Sequence, residues 1–164
     1  MDYLWTPWRY KYVAEAGKDL LECVFCAALA ANDDAKRFIV YRGRLNFIIL
    51  NLYPYTTGHS MVVPYKHGPD LAGCDAETLA ELMQLSRRLQ IALGNIYKPD
   101  GFNLGMNLGR SAGAGVVGHL HMHVLPRWIG DTNFMTTVGE TRVHPEEIEK
   151  TYEKLTIAFA AAGA

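Results

Sequence analysis

The sequence predicts an α+β fold: a mainly antiparallel sheet of about five strands, covered by one long helix and one C-terminal helix. Three observations carry this. Short apolar runs at residues 37–42, 46–53, 59–65, 101–109 and 119–126 are set off by Gly, Pro, Asn and Asp, as strands are. Between the third and fourth runs, Leu79, Leu82, Met83, Leu89, Leu93 and Ile96 recur at helical spacing, so one face of a long helix is buried. Near the end, Ile148, Tyr152, Leu155 and Phe159 repeat that pattern in a second helix.

Taken in order, residues 1–19 are aromatic and irregular, and "LLECVFCAALAAN" reads as a short helix ending near Asn32. Residues 46–65 form a hairpin whose loop, "LYPYTTG", is punctuated by Pro54 and Gly58. Asp75 caps the long helix and "KPDG" ends it. "RSAGAGVVG" is a small-residue loop, and "HLHMHVLP" is the fifth strand, stopped by Pro126. The last helix starts at "HPEE", with Pro145 at its first position and acids in its first turn. The tail, residues 160–164, frays. With no internal repeat and no linker, residues 1–164 read as one domain.

Composition narrows the function. An apolar fraction of 49% belongs to a packed protein rather than a disordered one. Sixteen basic against seventeen acidic residues, without a basic stripe, give no reason to expect nucleic acid. No apolar run reaches the roughly 18 residues of a membrane span. The start, "MDYLWTPWRYKYV", has no small-residue cleavage site, so the expected location is the cytoplasm. Three cysteines, two of them as "CVFC", do not make a disulfide scaffold.

Half of the six histidines fall within five residues, His119, His121 and His123. Side chains alternate along a strand, so the three imidazoles share one face, roughly 6.5 Å apart, and Leu120, Met122 and Val124 share the other. Three readings are open. They could converge on a metal. One could attack phosphorus while a second orients it or serves the leaving oxygen. They could also be chance residues on an edge strand. The preceding stretch, "GMNLGRSAGAGVVG", has five glycines in fourteen residues. Such a loop lets backbone N–H groups wrap an anion, which favours phosphate chemistry.

"HLHMHVL" fits the His-φ-His-φ-His-φ-φ signature (φ apolar), and by it the chain resembles the histidine triad superfamily of nucleotide hydrolases and transferases. "NLYPYTTGHSMVVPYKH" is similar to that family's central hairpin and "NLGRSAGAG" to its phosphate loop. "LWTPWR" and "PRWIGDTNFM" resemble the bacterial branch that includes diadenosine tetraphosphate phosphorylases. The resemblance implies that His121 is the nucleophile, that His123 contacts the phosphate and assists the leaving group, and that His59 helps build the site. It places Asn51 on the ribose, Asn107 at the opening of the phosphate loop, and Ile49 and Phe47 near the base. Gly113 and Gly115 belong to the phosphate loop. Val116 stands where the family often has a phosphate-binding Ser or Thr, and Ser111 is the candidate replacement. Trp5, Trp8 and Trp128 are left unassigned.

Cys23 and Cys26 supply half of a tetrahedral zinc site. The resemblance implies that His67 and His119 complete it, leaving His121 and His123 for chemistry. Four protein ligands leave no open position, so this zinc is structural. Two half-buried thiols under the sheet are the bland alternative. The expected activity is cleavage of an adenine nucleotide derivative at its α-phosphate, with diadenosine tetraphosphate favoured, through an AMP–His121 intermediate. Hydrolysis of AMP phosphoramidates, a non-catalytic nucleotide sensor, and a metal module using all three triad histidines are the rivals. The resemblance further implies a homodimer.

Overall fold

The computed structural model describes residues 23–139 and 146–161, so the N-terminal aromatic segment, Pro145 and the last three residues lie outside it. Its helices are α1 (Val24–Ala30), α2 (Asp34–Arg37), α3 (Ala76–Tyr97), α4 (Phe134–Thr137) and α5 (Ile148–Ala161). Its strands are β1 (Ile39–Arg42), β2 (Asn46–Leu50), β3 (Ser60–Pro64), β4 (Gly101–Gly105) and β5 (Met122–Arg127). They form one five-stranded sheet in the order β1-β2-β3-β5-β4. Every neighbouring pair is antiparallel.

The two faces of the sheet build two apolar clusters. Ile48, Leu50, Val62, Met122 and Val124 pack beneath Leu82, Leu85, Leu89 and Leu93 of α3 and Leu155 and Phe159 of α5. Burying each such leucine contributes about 2 kcal/mol, which is what holds α3 to the sheet. The other face carries Ile39, Phe47, Ile49, Met61 and Val63 beneath Phe25 and Ala28 of α1. Register puts the functional residues on this second face. Met61 pairs with His123, and Phe47 and Ile49 pair with Val63 and Met61.

Asp75 caps α3 as expected, its carboxylate accepting from the Thr78 N–H at 2.7 Å, a bond worth about 1 kcal/mol. The helix face differs in one position: Met83 is 54% exposed, and Leu85 with Ser86 fills the buried stripe. Glu81 fixes the β1–β2 turn to this helix, accepting from the Arg44 and Leu45 N–H groups at 2.8 and 2.7 Å. No helix among the described residues is long and apolar enough to cross a membrane.

Element ends moved where local polar bonds compete with the sheet. β1 starts at Ile39 because the unanticipated α2, capped by Asp33, ends on Phe38 in the left-handed region at φ 55°. β2 stops at Leu50 because Asn51 turns the chain. β4 stops at Gly105. β5 starts at Met122, not His119, and runs through Pro126 to Arg127. Beyond Val124 it has no partner in β3, and proline is tolerated where one side of a strand is open. The final helix begins at Ile148.

Candidate functional site

The β2–β3 loop supplies the first part of the site. Asn51 Oδ1 accepts from the Tyr53 N–H at 2.9 Å, an Asx turn that reverses the chain. The Asn51 N–H donates to the His59 carbonyl at 3.0 Å and closes the loop. His59, 2% exposed, accepts at Nδ1 from the Tyr55 N–H at 3.1 Å. Its proton therefore sits on Nε2, which donates to His123 Nδ1 at 2.9 Å. That leaves the His123 proton on Nε2, the nitrogen away from His59. The Asn51 amide nitrogen lies 3.3 Å from His59 Nδ1.

β5 and the residue pair before it supply the second part. His121 Nδ1 donates to the His119 carbonyl at 2.8 Å, so its Nε2 carries the free lone pair. The His121 and His123 rings meet edge to face, 4.8 Å between centroids. Burial pushes the His121 imidazole below its ordinary range, against the opposing pull of the His119 carbonyl. Burial, and then the neighbouring His121, push His123 down to about 4. At neutral pH the site holds uncharged imidazoles: one presents a nucleophilic nitrogen, the other an N–H donor. Such a pair can attack an electrophilic phosphorus and hydrogen-bond its oxygens.

His119 faces the other way. Its Nε2 donates to the Pro64 carbonyl at 2.9 Å, which leaves Nδ1 as an acceptor. This Nδ1 stands 3.3 Å from Cys23 Sγ, 3.7 Å from Cys26 Sγ and 3.2 Å from His67 Nδ1. Cys26 Sγ and His67 Nδ1 are 3.5 Å apart, and all four donor atoms lie within 4.8 Å of one another. Tetrahedral zinc with ordinary bond lengths has N–N edges of about 3.4 Å and N–S edges of about 3.6 Å. The donor set and its spacing fit such an ion. All four sequence-predicted ligands come together, and His121 and His123 are not among them.

The glycine loop connects β4 to the histidine stretch. Gly105 pairs with His123, and Asn107 follows two residues after Gly105, past the end of β4. Gly109 and Gly113 take positive φ, 83° and 89°, around a single 3-10 turn that carries an exposed Ser111. The Gly113 N–H is spent on the Arg110 carbonyl, so this glycine shapes the loop. Gly115 is half-buried, and Val116 packs on the apolar cluster with Phe47. Gly118 passes the metal donors: a Cβ there would lie 3.5 Å from His67 Nε2. Phe47 has no exposed surface, and Ile49 has 7%. They belong to the apolar cluster beneath α1.

Sequence reasoning missed two rings. Phe25 packs against both His119 and His121, with centroids 5.4 and 5.2 Å away. Its place between the two cysteines was the available signal. Tyr55 packs on His59 at 4.7 Å and lies 6.1 Å from His123. Among neighbouring loop tyrosines nothing marked it.

An imidazole with a free lone pair and a neutral imidazole donor stand side by side at the start of β5, and the glycine loop leads into that strand. The HIT domain model matches residues 32–128, and the chain belongs to the histidine triad family. It is 39% identical over 163 residues to an AP-4-A phosphorylase of Mycobacterium tuberculosis, covering 96% of this chain and 84% of the relative. A zinc-bound histidine triad family protein from Mycobacterium smegmatis superposes with a TM-score of 0.70 at 30% identity, covering 87% of this chain and 96% of that one. A hypothetical histidine triad nucleotide-binding protein from Sulfolobus tokodaii gives 0.69 at 30% identity, covering 85% and 93%.

Proposed function

We propose that this chain is a single-domain nucleotide hydrolase or nucleotidyltransferase that cleaves a dinucleoside polyphosphate, diadenosine tetraphosphate first among them, at the α-phosphate. The observation that carries the reading is the orientation of His121, whose Nδ1 proton is held by the His119 carbonyl and whose Nε2 lone pair is free. The identity to the AP-4-A phosphorylase supports the substrate class.

In the first step His121 Nε2 attacks the α-phosphorus, and the phosphorus–oxygen bond to the leaving polyphosphate breaks. ATP departs, and AMP stays on His121. The ring becomes cationic, and the Nδ1 proton on the His119 carbonyl spreads that charge. In the second step an oxygen of water or inorganic phosphate attacks the same phosphorus. The phosphorus–nitrogen bond breaks, its electron pair returns to Nε2, the proton of the attacking oxygen is released to solvent, and AMP or ADP leaves. The His123 Nε2–H donates to a phosphoryl oxygen throughout. His59 holds His123 in that tautomer, and Asn51 serves the ribose. Asn107, Ser111, Gly113 and Gly115 shape the phosphate cradle, and Ile49 with Phe47 backs the base. Cys23, Cys26, His67 and His119 would hold a structural zinc, which would cross-link the start of α1, the stretch after β3 and the segment leading into β5.

We read the protein as a cytoplasmic homodimer, a reading supported by the open edge of β4, whose Leu104 is 43% exposed. The test is product analysis with diadenosine tetraphosphate, with and without inorganic phosphate. ADP plus ATP only with phosphate identifies a phosphorylase; AMP plus ATP in both conditions identifies a hydrolase. Undiminished turnover by the His121→Asn variant overturns the mechanism, and no turnover by the wild-type chain overturns the substrate.

A further inference from the structure

The imidazoles of the site belong to a chain of ring contacts that begins on Phe25 and ends on Tyr55. Phe25 meets His121 at 5.2 Å between centroids, and His121 meets His123 at 4.8 Å. His123 meets His59 at 5.0 Å, and His59 meets Tyr55 at 4.7 Å. The hydrogen bonds along this chain are unevenly shared. His59 is held at both nitrogens, by the Tyr55 N–H and by His123, and His123 is held by His59. Among the described residues, His121 has only its Nδ1 bond to the His119 carbonyl.

One hydrogen bond does not fix an imidazole. The outer torsion of a histidine side chain has broad wells, so the ring can pivot and carry Nε2 sideways. Nε2 itself cannot be tied, because its lone pair must stay free for phosphorus. The angle of the ring is therefore left to packing. Aromatic contacts have preferred angles, so a neighbouring ring restrains tilt as well as position. His123 supplies one such contact, edge to face. Phe25 supplies another: its ring is 4% exposed, lies tilted at 49° to the His121 imidazole, and also meets His119 edge to face at 5.4 Å.

Phe25 is itself braced. It sits in the first turn of α1 between Cys23 and Cys26, two of the four clustered metal donors. Its ring belongs to the buried apolar cluster with Ile39, Phe47, Ile49, Met61 and Val63. We propose that Phe25 is a positioning residue for the nucleophile: its ring, braced by the flanking cysteines and the apolar cluster, fixes the His121 imidazole so that Nε2 keeps its line of attack. The inference rests on the nucleotide-cleaving reading and adds to it a side chain that touches no reacting atom. The start of α1 then does for His121 what His59 does for His123.

The experiment compares the wild type with Phe25→Leu, Phe25→Met and Ile39→Ala. The thioether of Phe25→Met fills the space without a flat face. Ile39→Ala loosens the same cluster on β1, which β2 and β3 separate from β5. Each chain is measured for kcat and KM with diadenosine tetraphosphate, for metal content and for melting. A sample with isotope-labelled histidine gives the Nδ1 proton signal of His121, assigned by its absence from His121→Asn. Both Phe25 variants should keep the wild-type metal content and a KM within about twofold, and lose about ten- to a hundredfold in kcat, the cost of a misplaced nucleophile. Their His121 proton signal should broaden into exchange with water, while Ile39→Ala keeps both kcat and the signal. A kcat within about twofold of the wild type in the Phe25 variants overturns the proposal. A rise in KM with kcat unchanged makes Phe25 a substrate contact and also overturns it. Loss of metal traces the defect to the metal donors, and an equal fall of kcat in Ile39→Ala traces it to loosened packing; either result overturns the positioning role. If the wild type turns nothing over, the cleavage reading falls and the proton signal alone decides the position: a sharp signal in the Phe25 variants overturns the bracing.

Discussion

Gly58 sits at φ 79°, immediately before His59, and an alanine there meets two separate penalties. A Cβ at this position would lie 2.9 Å from Leu93 Cδ2, 3.2 Å from Pro126 Cγ and 3.3 Å from Tyr97 Cε2. Leu93 has no exposed surface and the proline ring is rigid, so neither neighbour gives way easily. The left-handed backbone costs an L-residue about 1–2 kcal/mol, and overpacking costs about 1–3 kcal/mol. Reduced freedom of the unfolded chain returns roughly 0.4–1 kcal/mol. The net loss in Gly58→Ala is about 2–4 kcal/mol, a fall in Tm of roughly 5–15 °C for a chain of this length. Gly130→Ala is the control, because Gly130 has φ 83° and nothing within 4 Å of its Cβ position. It meets only the dihedral penalty. Thermal and urea unfolding of both variants give the comparison. Equal destabilisation of the two refutes the packing argument, and a Tm fall under about 2 °C for Gly58→Ala refutes the whole estimate.

The depressed imidazoles set the pH response. With His123 at about 4 when folded and about 6.5 when unfolded, the unfolded chain binds more protons between those values. Stability is therefore fully present above about pH 6.5 and falls as pH drops toward 4. The acid limb of the rate should lie below the ordinary imidazole range for the same reason, since His121 is also pushed down; a rate that halves near pH 6.5 contradicts this burial. Metal analysis of the purified chain should find one zinc, lost in Cys26→Ser and His67→Ala and kept in His121→Asn. Loss of zinc from His121→Asn would instead mean that the triad shares one ion.

The long helix was legible because its signals are local: Asp75 supplies a cap, and leucines at helical spacing supply a face. Met83 fooled the pattern because a thioether side chain fits helical spacing without being needed in the core, whereas Leu85 belongs to the buried cluster that includes Val62 and Val124. Strand ends were less legible. They depend on side-chain bonds to backbone, such as the Asn51 turn and the Asp33 cap, which compete with ladder pairing. The four metal donors were found from residue type and family spacing, but their convergence depends on register between β3 and β5. That register also sets the His59–His123 bond, which links residues sixty-four apart.

His119 is tied in three directions: Nδ1 toward the metal donors, Nε2 to the Pro64 carbonyl, and its own carbonyl to His121. One rigid residue thus joins a coordination sphere to the reacting centre. A cobalt ion seated among those donors would absorb visible light, with bands set by the angles of its ligands. Charging the His121 ring changes the pull on the His119 carbonyl, and the strain passes through a single residue to the ion. A cobalt-substituted chain would then report each turnover at His121 as a change in colour.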